Sequence, residues 1–107
     1  MSNPNFRGSF IFRSHGYGIL SSTYFNNGDE NPFPETAKRK PNDESDPFIG
    51  EFNTVWLEAS GYEYSDLIIK RNKIGTYDLS WEFKGKVIYQ GTGILEGNNL
   101  VGYYSGV

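Results

Sequence analysis

The chain has 107 residues, a formal net charge of −3, no cysteine, one histidine and 17% aromatic residues. That length suits one domain with a single core. The missing cysteines exclude disulfides, Cys-ligated zinc, iron–sulfur clusters and a cysteine nucleophile, and the acidic balance argues against a bulk basic surface for nucleic acid.

Tyr, Phe and Ile occur eight times each, against six Leu and two Ala. Aromatic and β-branched side chains suit a pleated, half-buried surface, whereas Ala and Leu favour helix. Leu, Ile, Val and Phe make up 26 of 107 residues, above the range of disordered chains. Met1 to Asn5 has no charged n-region and no apolar h-region, so the expectation is a cytoplasmic protein without a signal peptide. The apolar runs are too short to span a membrane, and no membrane association is expected.

Phe6 to Arg13 alternates, with Phe6, Gly8, Phe10 and Phe12 on one face and Arg7, Ser9, Ile11 and Arg13 on the other. This predicts a strand with an inward aromatic face. Ser14-His15-Gly16 reads as a turn, and Tyr17 to Phe25 as a second strand. Residues 26–47 carry four of the five prolines, the basic triplet Lys38-Arg39-Lys40 and the acids Asp43, Glu44 and Asp46. This stretch is expected to be a long Pro-rich polar loop, mobile rather than a functional lid.

A third strand is predicted over Phe48 to Ala59, with Phe52, Thr54 and Trp56 on one face, and a fourth over Tyr62 to Arg71. Gly75 to Lys84 alternates most cleanly, setting Tyr77, Leu79, Trp81 and Phe83 against Asp78, Ser80, Glu82 and Lys84. Lys84-Gly85-Lys86 closes a hairpin. Val87, Tyr89, Gly91, Gly93 and Leu95 line one face of a sixth strand, and Leu100 to Gly106 forms the last. No segment has helical periodicity. Strands joined by tight turns make a meander, so the fold expected for residues 1–107 is a single all-β domain. Its form would be a small antiparallel up-and-down β-barrel of about seven strands, with a β-sandwich as the alternative. Gly91, Gly93 and Gly102 fall where bent strands need room.

Little in the sequence carries chemistry. The Gly-x-Gly pairs at 16–18 and 91–93 lack the third glycine and the following helix of a dinucleotide site. His15 is the only histidine; it is expected in an exposed turn and cannot build a multi-histidine metal site. The loop acids lack calcium-loop spacing, so neither metal nor cofactor is expected. Lys38-Arg39-Lys40-Pro41 resembles a minimal nuclear-localisation string, but neighbouring acids cancel its field. Glu58 shares parity with Thr54 and Trp56, which makes it the strand carboxylate best placed for acid–base work.

The strongest candidates are the inward aromatics. Phe10, Phe12, Phe52, Trp56, Tyr77, Trp81, Phe83, Tyr89 and Tyr104 all point inward by parity, either filling the interior or walling a pocket. The segments Gly75-Thr-Tyr-Asp-Leu-Ser-Trp81, Tyr89-x-Gly-x-Gly93-Ile-Leu95 and Leu100-Val-Gly102-Tyr-Tyr104 resemble the closing hairpins of small bacterial lipocalin-like (calycin-like) barrels. Gly8-Ser9-Phe10 is the nearest equivalent of the Gly-x-Trp near the start of lipocalins, with Phe in place of Trp. The resemblance implies a small apolar ligand held inside the barrel without catalysis.

The leading expectation is therefore a non-enzymatic binding domain with no catalytic residues. Its pocket would be walled by Phe10, Phe12, Trp56, Trp81, Tyr89 and Tyr104, around a cavity of at least about 300 Å³. The alternative is a protein-interaction or self-associating module using exposed Tyr62, Tyr64 and Tyr103 and free sheet edges. A small hydrolase using Glu58 or another strand carboxylate ranks third.

Overall fold

The computed structural model describes residues 6–107. Eight strands run in chain order: β1 (Arg7–Ser14), β2 (Ile19–Asn26), β3 (Phe33–Arg39), β4 (Gly50–Glu58), β5 (Gly61–Arg71), β6 (Tyr77–Phe83), β7 (Lys86–Glu96) and β8 (Asn99–Gly106). Each pairs antiparallel with the next, and β8 returns to β1, closing an up-and-down barrel rather than a sandwich. No helix is present among the described residues, so none is long and apolar enough to cross a membrane.

The strand count exceeds the expected one because β3 lies inside the segment read as a loop. Two prolines and a basic triplet masked it. Pro34 pairs with Thr23 of β2, while pairing with β4 starts only at Glu35. The missing N–H therefore falls where β3 has not yet met its second neighbour, a position that tolerates proline. Two residues of the triplet, Arg39 and Lys40, make structural contacts. The Arg39 guanidinium donates to the carbonyls of Asp46 and Ile49 at 2.8 and 3.1 Å. Lys40 Nζ lies 3.5 Å from Glu51 and 3.4 Å from Asp66.

These contacts fold residues 41–49 over one end of the barrel. Phe48 is buried in the core cluster. Asp46 accepts a 2.6 Å hydrogen bond from the Tyr77 hydroxyl and caps the Phe48 N–H at 2.9 Å. This end is plugged. Below the plug Phe12, Leu20, Phe52, Leu67, Ile69 and Leu100 are fully buried, as expected of an eight-stranded barrel whose interior is as wide as its side chains.

Two glycines show how the wall is built. Lys84 and Gly85 both have positive φ, 52° and 78°, the geometry of a two-residue hairpin turn that follows strand twist. Gly102 solves a different problem. A Cβ there would sit 2.0 Å from the Thr92 carbonyl oxygen and 2.9 Å from the Phe10 ring. Its neighbours across the β7–β8 pairing and the inward ring both occupy the space a side chain would need.

Three expectations need correction. Phe83 is 43% exposed. It is the last residue of β6, at the mouth of the barrel, just past the β6–β7 register shift between Trp81 and Glu82. Leu95 is 45% exposed near the end of β7. Closure also removes the free sheet edges on which edge-to-edge association would depend.

Because the Gly102 contacts include backbone, a methyl there cannot be relieved by rotating a side chain. Gly102→Ala is expected to lower the unfolding free energy by about 3 kcal/mol, measured by urea denaturation. A neutral or stabilising effect, as at an ordinary strand glycine, would contradict the packing.

Candidate ligand pocket at the open end

The other end of the barrel is not plugged. Here β2, β4, β6 and β8 finish and β1, β3, β5 and β7 begin. Alternation carries side chains inward from each of these ends. β8 contributes Tyr104, β4 contributes Trp56 and Glu58, and β6 contributes Trp81. Tyr89 enters from the start of β7 and Phe6 from just before β1.

These rings form one connected cluster. Tyr104 lies 5.7 Å from Trp81 and 5.9 Å from Tyr89, centroid to centroid. Tyr89 lies 6.2 Å from Trp56 and 5.7 Å from Phe6. Most of these pairs are tilted or edge-on, as ring quadrupoles prefer. The free volume among them is about 30 Å³, room for roughly two waters. The interior cavity of about 300 Å³ expected for an enclosed apolar ligand is not what this end provides.

Five of the six expected ligand residues, Phe10, Trp56, Trp81, Tyr89 and Tyr104, line the pocket. Phe12 does not. It sits deeper, fully buried, with its ring 5.3 Å from Phe10. Phe6, expected on the inward face of the first strand, joins the lining together with Tyr24 and Asn26, which alternation does not single out.

The residue that sequence reasoning missed is Glu35. It is only 4% exposed, and the neighbouring Ala37 and Phe33 were the sole apolar hints that β3 alternates. The Glu35 Oε2 accepts hydrogen bonds from Thr54 Oγ1 at 2.5 Å and Trp81 Nε1 at 3.0 Å. Among the described residues Oε1 accepts none, and Glu35 lines the pocket. Burial pushes its carboxyl up from 4.5 to about 7, against the pull of the Thr54 and Trp81 hydrogen bonds. A carboxylic acid poised there can hold or exchange a proton at neutral pH.

Glu58, the expected acid–base candidate, accepts from Trp56 Nε1 at 3.1 Å and Ser60 Oγ at 3.3 Å. It fixes the Trp56 indole rather than standing free. Tyr24 donates to the Leu57 carbonyl at 2.5 Å. Tyr104 donates to Asn26, which donates to Asp29 at 2.8 Å. Burial raises the Tyr24, Tyr89 and Tyr104 hydroxyls above the ordinary tyrosine range, and nearby acidic groups add to the shift, with Glu58 acting on Tyr24 and both Glu58 and Glu63 on Tyr89. The phenols are therefore neutral at physiological pH.

Elsewhere, His15 Nε2 lies 2.6 Å from Ser21 Oγ on the exposed surface, with no carboxylate orienting the ring among the described residues. No group of three or more His, Asp or Glu among them is arranged to hold a metal ion. No protein-family model matches the chain, and no curated protein or solved structure matches it significantly.

The raised Glu35 carboxyl makes folding pH-dependent in a defined direction. The unfolded chain releases this proton near 4.5 and the folded chain near 7, so between them the folded state binds more protons. Stability from this group is full below 4.5, falls as pH rises towards 7, and is level above it. The loss is expected to reach about 3 kcal/mol. Glu35→Gln should remove that slope in urea denaturation between these pH values; an unchanged slope in the variant would contradict the assignment.

Proposed function

We propose that the chain is a non-enzymatic binding domain, a lipocalin-like barrel that takes the compact end of a small ligand at its open mouth. The observation that carries this reading is the asymmetry of the two ends. One is sealed by Phe48 and its hydrogen-bonded loop. The other leaves a half-open aromatic pocket above a buried carboxylate. A barrel filled only for stability has no use for a polar group in such a place, because burying one costs free energy unless all its bonds are made. The small free volume means that the ligand enters in part, with its remainder outside. Catalysis is the weaker use of Glu35, since one of its oxygens is already committed to Thr54 and Trp81.

Both tryptophans of the chain line the pocket, so intrinsic fluorescence reports on it directly. A screen of small aromatic and amine compounds is expected to give saturable changes in emission. Tyr89→Ala, at the half-buried wall, should weaken such binding about ten-fold while leaving the fold intact. Emission unmoved by any compound would remove the binding reading.

A second reading rests on the outer wall. Ile94, Val101 and Ile11 lie side by side across β7, β8 and β1, and Tyr103, Ser9 and Phe25 form the next row, reaching β2. Ile11, Phe25, Ile94 and Tyr103 are all exposed, and together they make an apolar patch of the kind that mediates association. Under this reading the chain self-associates through that face. Light scattering should show a dimer that Ile94→Lys converts to a monomer; a monomer at millimolar concentration would dismiss it.

A further inference from the structure

The chemistry of the open end is one-sided. Among the described residues its lining contains two carboxylates, Glu35 and Glu58, and no Lys, Arg or His. Two further acids, Asp29 and Glu63, lie close enough to act electrostatically on the pocket tyrosines. The remaining wall is mostly aromatic, and ring faces carry negative potential.

A buried carboxylate is normally balanced by a cation or satisfied at both oxygens. Glu35 has neither among the described residues. Both of its protein hydrogen bonds reach Oε2, and both come from neutral groups, Thr54 and Trp81. Its Oε1 is left to the pocket, where a positive group can meet it. An anionic ligand would meet repulsion and no compensating cation. A neutral apolar ligand would leave the carboxylate unbalanced. A metal ion would need several well-placed ligands, and no group of three or more His, Asp or Glu is so arranged among the described residues.

Resting on the binding reading above, we propose that the open end of the barrel binds the head group of a small organic cation, an alkyl- or quaternary ammonium, against Glu35 and the rings of Trp56, Trp81, Tyr89 and Tyr104. Cation–π contact is strongest with tryptophan and grows when the site is desolvated. Both conditions hold here: Trp81 and Trp56 are buried, and Glu35 beside them is almost fully so. The small free volume admits only the leading methyl or ammonium group of such a head, and the half-open mouth leaves room for the rest.

The test compares choline with its neutral isostere 3,3-dimethylbutan-1-ol, which has the same shape but a carbon in place of the charged nitrogen. Tryptophan fluorescence is followed at matched ionic strength, and benzoate serves as the anionic control. Choline is expected to bind at least about ten-fold more tightly than the isostere, and benzoate not at all. In Glu35→Gln the preference for choline should collapse while the weak binding of the isostere persists. The native comparison stands even if that variant fails to fold. Equal or tighter binding of the isostere or of benzoate would overturn the cation proposal and leave the pocket a neutral or anionic binding site. No response to any of the three at millimolar concentration would overturn the cation proposal, while the broader compound screen decides the binding reading.

Discussion

Closure of β1 against β8 is the constraint from which the rest of the structure follows. With eight antiparallel strands in a ring, every strand has two neighbours and no edge is left unpaired. The ring's width is fixed by strand number and tilt, so each inward position has a limited volume to fill. Phe10 shows the consequence: its ring takes up space that a side chain at Gly102 would need and crowds the one at Gly93. Residues 41–49 then seal one end, which confines the unfilled volume to the other. The pocket is the remainder of a packing problem solved everywhere else.

That remainder contains a buried acid whose ionisation works against stability. Glu35 sits among rings where its ionised form is poorly solvated, and its raised proton affinity expresses the cost. Thr54 and Trp81 reduce the cost by bonding the same oxygen. They also fix the carboxyl in place. Local departures of this kind from good packing are characteristic of functional sites. The phenols around it are tied to the carbonyl of Leu57 and the side chain of Asn26, so the walls are preorganised before any ligand arrives. Preorganisation lowers the entropic cost of binding.

Much of this was legible in the sequence, and the failures have physical causes. Alternation located seven strands because Phe10, Phe52, Trp56, Tyr77 and Trp81 obey the inward rule strictly. It missed β3 because Phe33-Pro-Glu-Thr-Ala-Lys-Arg39 obeys the rule with a carboxylate in an inward position. Periodicity detects hydrophobic residues, and a buried acid is invisible to it. Phe83 was misplaced for a different reason: it shares the parity of Trp81 but ends β6 at the mouth of the barrel, where alternation no longer implies burial. The pocket aromatics were found, but not the end of the barrel they occupy, since that depends on the plug supplied by Phe48.

The account's central claim is that a carboxyl group is buried beneath the aromatic rings, with the Trp81 indole bonded to it. The pH titration of the Trp81 Nε1–H resonance by NMR tests this most directly, because that proton reports the ionisation of its acceptor. The account predicts a single transition with a midpoint near 7. A midpoint in the ordinary carboxylate range near 4.5, or no transition at all, would contradict it.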